Sequence, residues 1–323
     1  MSMERMAAGL RELPRAARVE SVGYEAPHIR SLRLVPADHA AWPAAKAGAH
    51  IDLELPNGLV RQYSIVNPDE ENCYRIAVLR APQSKGGSTY IFDCLHEGAE
   101  LSIRGPRNNF PLKESPRSVC LIAGGIGVTP LLSMAQVLTR SGRIWRLYYC
   151  ARDRASIGFA DILEHLEQNI SFHIDAEMGA APCMEEIIRS EPDSDYYCCG
   201  PAPMLAAFRV ATATLPPDRV HLESFGPASN DRAPNKAFTV ELARSGLRLS
   251  VPPEKTIITV LQEAGIPVLY SCLNGMCGTC EITVLEGTPD HRDSILMEDE
   301  RREGKTMMVC CSRAKTPTLV LDL

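Results

Sequence analysis

Near the carboxyl end, Cys272, Cys277 and Cys280 form a C-x4-C-x2-C run, and Cys310 follows after 29 intervening residues. No other stretch restricts the fold as strongly. Four thiolates holding two irons require a tight loop with a distant strand brought back beside it, and this is the spacing of plant-type [2Fe–2S] sites. Gly275 and Gly278 give the loop left-handed backbone at little cost and leave amides free to turn toward sulfur. A structural zinc site is the alternative. Zinc ligands ordinarily come as matched CxxC pairs, so the asymmetric spacing points to iron and sulfide. A cluster needs a source of electrons.

With 323 residues the chain exceeds one ordinary core and suits three units. Its 34 basic and 40 acidic residues give a net charge of −6, with no basic run interleaved with aromatics, so nucleic acid is not an expected partner. Twelve cysteines are scattered along the chain, and Met1-Ser2-Met3-Glu4-Arg5 does not read as a secretory leader. Reduced thiols and a cytoplasmic location are therefore expected. Val119 to Thr139 lacks charge and has the length of a membrane span, but Gly124, Gly125, Gly127 and Pro130 break any single helix there. That segment reads instead as strand, glycine turn and helix, with no membrane partner.

Residues 1–113 show short alternating runs: Arg18 to Val22, Ile29 to Val35, Ile51 to Leu55, Val60 to Ile65, Tyr74 to Leu79 and Glu100 to Ile103 are predicted strands. Asn57-Gly58 predicts a type I′ hairpin, and Ser88 to His96 the one helix. The pattern implies an antiparallel β barrel. Within it, Arg61-Gln62-Tyr63-Ser64 ends a strand and Lys85-Gly86-Gly87-Ser88 opens the helix. Amides and a hydroxyl at a helix start suit a phosphate, Arg61 suits its charge, and Tyr63 and Ser64 suit a flavin ring. Each motif alone is ordinarily a plain strand or a plain cap; their order and separation together suggest FMN.

Residues 114–226 alternate buried strands (Val119 to Ala123, Trp145 to Cys150, Ser171 to Asp175, Asp195 to Cys199) with helices (Leu131 to Thr139, Ala160 to Gln168, Met184 to Ile188, Pro203 to Ala213). This predicts an α/β domain built on a parallel sheet, whose ligands gather at the carboxyl ends of its strands. Two ends carry motifs. Gly124-Gly125-Ile126-Gly127-Val128-Thr129-Pro130 is a glycine turn suited to pyrophosphate, and Cys199-Gly200-Pro201 fixes a cysteine at a strand end. Residues 227–236 are polar and turn-rich, as in a linker. In 237–323, strands at Phe238 to Ala243 and Leu247 to Val251 and a helix from Thr256 to Ala264 fit a β-grasp ferredoxin.

These residues together resemble the phthalate dioxygenase reductase family of the ferredoxin–NADP reductase superfamily. The resemblance rests on Arg61 to Ser64, Gly86-Gly87-Ser88, Gly124 to Pro130, Cys199-Gly200-Pro201, Glu223-Ser224-Phe225-Gly226 and the four cysteines, and it covers essentially the whole chain. It implies FMN rather than FAD, NADH as donor, and as acceptor a terminal oxygenase of the Rieske non-haem iron type acting on aromatic acids or as an O-demethylase. A cytochrome P450 or another acceptor is the alternative. It further implies that Gly124, Gly125, Ile126, Gly127, Thr129 and Pro130 contact the nicotinamide nucleotide, that Cys199 with Gly200 and Pro201 lies beside its ring, and that Phe225 stacks on the flavin, with Ser64, Cys199 and Phe225 nearest the chemistry. Arg152 and Arg154 follow the second strand of this domain, where a 2′-phosphate of NADPH would lie, and leave the choice of nucleotide open. The family pattern Cys-x-Ser-Arg selects Cys310 over its neighbour Cys311 as the fourth iron ligand.

Overall fold

In the computed structural model the described residues are 14–38, 40–82, 84, 86–225, 235–270, 273, 275, 278–293, 296 and 298–323. They fall into two compact units, one within Glu12–Phe225 and one within Gly226–Leu323.

The first unit opens with β1 (Arg15–Ala26), β2 (Ile29–Pro36), β3 (His50–Glu54), β4 (Val60–Ser64), β5 (Tyr74–Leu79), α1 (Gly87–Asp93) and β6 (Glu100–Arg107). The strands form one antiparallel sheet in the order β4-β3-β6-β1-β2-β5, and a bridge from Ile65 to Ile76 joins the end of β4 to β5 and closes the barrel. Period-two burial drives closure: Ile51, Leu53, Leu32, Leu34, Ile76 and Ile103 fill the interior at 3 % exposure or less. Arg30, itself buried, ends α1 from a distance. Its guanidinium donates to the carbonyls of Ile91, Phe92 (2.8 Å) and Leu95 (2.7 Å), placing a cation at the negative end of the helix.

The same unit continues with β7 (Ser118–Gly124), α2 (Val128–Arg140), β8 (Trp145–Ala151), α3 (Ala160–Leu163), β9 (Ile170–Ile174), α4 (Asp175–Met178), α5 (Met184–Ser190), β10 (Ser194–Cys199), α6 (Ala202–Ala211) and β11 (Val220–Glu223). These strands are parallel in the order β11-β10-β7-β8-β9. Central β7 and β10 are buried almost throughout, as a strand covered on both faces requires, while the edge strands β9 and β11 are half-buried. Ile29, Ala47, Val66, Ala77 and Phe110 of the barrel pack in one core with Val128, Leu131, Met134 and Tyr149 of the α/β layer. Polar contacts fix the same seam. Gly48 N donates to Ser133 Oγ (3.0 Å), Gln136 Nε2 to Val66 O (2.8 Å), and Arg75 bridges Glu25 and Asp161 at 2.7 Å each.

The second unit contains β12 (Phe238–Leu242), β13 (Arg248–Val251), α7 (Ile257–Glu263), β14 (Glu281–Glu286), β15 (Pro289–Asp290), α8 (Glu298–Glu303), β16 (Thr306–Met308), β17 (Arg313–Ala314) and β18 (Thr318–Leu321). Its main sheet runs β13-β12-β18-β14-β16, with β12 and β18 parallel. Thr256 caps α7 by accepting the Thr259 amide (3.3 Å), and Ile257, Ile258 and Leu261 of that helix are buried in the core.

Three local expectations change. Asn57-Gly58 does not form a two-residue turn: Leu55 and Leu59 are joined across the loop Pro56-Asn57-Gly58, with only Gly58 left-handed (φ 80°), the three-residue hairpin in which glycine forms a bulge. Pro56 favours this loop, since its fixed φ suits the first corner of an ordinary turn. The predicted helix from Ala160 to Gln168 stops at Leu163, and a single 3-10 turn follows at Glu167–Asn169. Helix α1 begins at Gly87 and ends at Asp93, where the Arg30 contacts take its carbonyls.

Candidate functional site: a nucleotide and flavin face, and a cysteine loop

The parallel sheet reverses its winding between β7 and β10, and ligand crevices form at such a reversal. Here the two strand ends are pressed together by glycine. A Cβ on Gly127 would fall 2.3 Å from Cys199 O, one on Gly124 would fall 3.1 Å from Gly200 Cα, and Gly125 is left-handed at φ 54°. Any side chain at Gly127 would separate the strand ends, so glycine there is a packing requirement. Thr129, 2 % exposed, donates its hydroxyl to Ile126 O (3.0 Å), and Pro130 sits in the first turn of α2, where a missing amide hydrogen is tolerated. Cys199 is fully buried and its thiol is pushed well above the ordinary range by burial, so it stays protonated.

Glu223, paired in register with Cys199, was not among the residues singled out from sequence as a site. Its Oε2 is sealed and has no hydrogen-bond partner among the described residues, and burial raises its carboxyl to about 8. The signal was indirect: Glu223 lies two residues before Phe225, and only the parallel register brings it beside Cys199. Phe225, which ends this unit, is 41 % exposed.

On the barrel the pleat divides Arg61-Gln62-Tyr63-Ser64. Tyr63 and Arg61 stand opposite Ile51 and Leu53, whose side chains belong to the core, whereas Ser64 and Gln62 stand opposite His50 and Asp52 on the other face. Arg61 meets the helix start, since a Cβ on Gly87 would fall 2.7 Å from Arg61 Nε, and Gly86 is left-handed at φ 87°. Ser84 Oγ accepts the amides of Gly86 and Thr89 (3.2 and 3.3 Å) and the Ser88 hydroxyl (3.0 Å). The Ser88 hydroxyl is thus held inside the loop. The amides of Gly87 and Ser88 have no acceptor among the described residues. Lys85 lies outside the described residues.

Gln62 is also engaged, donating to Asp52 Oδ1 (2.9 Å), with Arg107 paired to the same carboxylate at 2.5 Å. Ser64 differs. It is 4 % exposed, and its Oγ has no partner among the described residues; across the ladder, both ring nitrogens of His50 are equally without partners. Burial and Arg107 lower the His50 imidazole to about 4, so it is neutral at pH 7. A buried hydroxyl and a buried neutral imidazole left unbonded side by side fit a polar ligand edge, as a flavin ring presents. Burial also lifts the Tyr63 hydroxyl far above the ordinary phenol range.

In the second unit, Cys280 and Cys310 are 2 % and 3 % exposed, and Val309 N donates to Cys280 O (3.2 Å), which brings the two cysteines' segments together. Cys272 and Cys277 lie outside the described residues. Leu273, Gly275 and Gly278 are all left-handed, with φ of 56°, 72° and 74°, the backbone of a loop that turns amides inward. A Cβ on Gly275 would fall 2.4 Å from Cys311 Sγ, which places that sulfur against the loop wall, where it also lies 3.8 Å from Met308 O. Arg313 acts as a staple: it donates to the carbonyls of Lys255 (2.6 Å), Lys236 and Pro252 (3.0 Å each) and covers the Phe238 ring. The buried loop glycine, the left-handed turns and the buried thiols suit a bound cluster.

Comparison with known proteins follows the same division. The family models for an oxidoreductase NAD-binding domain and for a 2Fe-2S iron-sulfur cluster binding domain match residues 121–209 and 240–315. The chain is 42 % identical to phenoxybenzoate dioxygenase subunit beta of Ectopseudomonas oleovorans over 98 % of its length and all of that protein. It is 40 % identical to phthalate dioxygenase reductase of Burkholderia cepacia, covering 91 % of this chain and 93 % of the relative. The crystal structure of a phthalate dioxygenase reductase, described as a modular structure for electron transfer from pyridine nucleotides to [2Fe-2S], superposes with a TM-score of 0.75 at 37 % identity, over 98 % of this chain and 99 % of that one. An intact type IV self-sufficient cytochrome P450 monooxygenase superposes with a TM-score of 0.84 at 34 % identity over 96 % of this chain, which spans 41 % of that larger protein.

Proposed function

Because the chain belongs to the phthalate dioxygenase reductase family, we propose that it is an NADH-dependent oxidoreductase that passes electrons through FMN and a [2Fe-2S] cluster to a Rieske-type oxygenase component, of the aromatic acid dioxygenase or O-demethylase kind. The observation that carries the reading is the glycine turn at the sheet's reversal, packed so closely on the end of β10 that its backbone carries no side chain to screen its amides. Bound flavin supplies the exchange between the electron pair of nicotinamide and the single electrons a cluster accepts.

The chain's own residues set the stage for that exchange. Amides of the Gly124–Gly127 turn bind the pyrophosphate. Cys199, protonated and therefore uncharged, lies beside the nicotinamide without adding negative charge to the hydride path. Glu223 is mostly protonated at pH 7 and offers a donor in place of a repelling carboxylate. The amides of Gly87 and Ser88, without an acceptor among the described residues, would hold the flavin phosphate together with Arg61. Tyr63 and Ser64, which the pleat puts on opposite faces of β4, would both contact the flavin ring. Phe225, 41 % exposed, would cover the flavin ring where the nicotinamide is to bind. Cys272, Cys277, Cys280 and Cys310 hold the cluster, and Cys311 packs against Gly275.

Purified protein should be coloured by flavin and cluster, and rapid mixing with NADH should bleach the flavin with or before cluster reduction. A colourless, zinc-loaded protein defeats the proposal. The likeness to a self-sufficient P450 supports a second reading, with a haem protein as acceptor. Turnover reconstituted with a Rieske oxygenase and not with a P450 separates the two. No helix among the described residues is long and apolar enough to cross a membrane.

A further inference from the structure

The order of strands in the parallel sheet also orders whatever lies over it. This inference rests on the nucleotide site just proposed. Strands β10, β7, β8 and β9 run side by side, about 5 Å apart. With nicotinamide over Cys199 at β10 and pyrophosphate on the glycine turn at β7, the adenosine ribose falls over the ends of β8 and β9. That ribose distinguishes the two nicotinamide nucleotides: a carboxylate suits its 2′-hydroxyl, and an arginine suits a 2′-phosphate.

The segment leaving β8 carries two exposed arginines, Arg152 and Arg154. Arg154 is already held. Its Nε lies 2.6 Å from Glu177 Oε1 and its Nη2 2.9 Å from Glu177 Oε2, a two-pronged fork. Glu177 belongs to α4, which follows β9 directly and is tied back to the β8 segment where Ala176 N donates to Arg152 O (3.0 Å). Asp153, between the arginines, is occupied by the Ser156 amide and hydroxyl at 2.9 and 2.8 Å. Arg152 has no ion pair among the described residues.

We propose that Glu177 is a specificity-determining residue: it holds Arg154 in the fork, cancels the cation that would receive a 2′-phosphate, and sets a carboxylate at that edge, so that the chain favours NADH. The two side chains are 68 % and 47 % exposed, and exposed pairs are weak. Discrimination is therefore graded, and it should shrink with added salt.

The test is calorimetric titration of the full-length protein with ADP-ribose and with its 2′-phosphate, alongside the ratio of kcat/KM for NADPH to that for NADH. Glu177→Gln should raise affinity for the 2′-phosphorylated ligand relative to ADP-ribose, and with it the NADPH to NADH ratio, by about tenfold. Adding Arg154→Ala to that variant should abolish the gain. A flat ratio in Glu177→Gln overturns the proposal, and so does a gain that survives loss of Arg154 or a wild type that binds both ligands equally. Failure of wild type to bind ADP-ribose at all overturns the nucleotide site itself, an outcome distinct from binding with an unchanged ratio.

Discussion

Ser64 Oγ and Glu223 Oε2 are buried atoms with no hydrogen-bond partner among the described residues, and each is tied to the chemistry by a different measurement. Removing an unbonded buried hydroxyl deletes no hydrogen bond of the fold. Ser64→Ala should therefore leave the flavin-free protein as stable as wild type, or more stable by about 1 kcal/mol in denaturant unfolding. The same variant should slow flavin bleaching by NADH by roughly 10²-fold in stopped-flow traces. Loss of stability without loss of rate would make Ser64 a structural residue. Glu223 is tested by pH. Its folded carboxyl is raised to about 8, above the unfolded glutamate value, so its favourable contribution is complete below the unfolded value and fades as pH rises toward 8. The melting temperature of wild type should fall relative to Glu223→Gln between about pH 5 and pH 8, and the gap should then level off. A constant gap across that range would place Glu223 in an ordinary solvated setting.

Among elements, α2 and β10 are joined at a contact that tolerates no extra atom. Gly127→Ala sets a methyl against the backbone of Cys199, and with nothing flexible to yield, it should cost about 3 kcal/mol in denaturant unfolding and weaken ADP-ribose binding. Helix α1 depends on a side chain 61 to 65 residues away. Arg30→Met keeps the stem but strands three carbonyls, and should cost about 2 kcal/mol in the same measurement. The contrast between these two elements explains what could be read from the chain. Glycine turns, cysteine spacing and strand alternation are local patterns, so the barrel, the parallel sheet and the glycine turn at Gly124–Pro130 were legible. The Arg30 and Arg313 staples and the placement of Glu223 beside Cys199 are not local. Each pairs residues far apart in sequence through backbone carbonyls or strand register, which leave no mark in composition or periodicity. The helix predicted from Ala160 to Gln168 failed for a related reason. Apolar spacing continued through Leu163 and Leu166, both buried, but their burial in the shared core is met by one short helix and a separate turn.

At the scale of the whole molecule, the proposed electron path depends on the fourth iron ligand as much as on the flavin face. Cys310→Ser should abolish the cluster's visible spectrum, while Cys311→Ser should keep it; the reverse result would exchange their roles. Within the larger unit, the barrel and the α/β layer share Phe110, Met134 and Tyr149 in one core and are bolted by Arg75 between Glu25 and Asp161. Such a core leaves no seam along which one half can melt while the other persists. On warming, release of flavin fluorescence and loss of nucleotide affinity should therefore follow a single curve, so that a damaged molecule forfeits its electron donor and its flavin together and no half-molecule survives to spill NADH electrons onto oxygen.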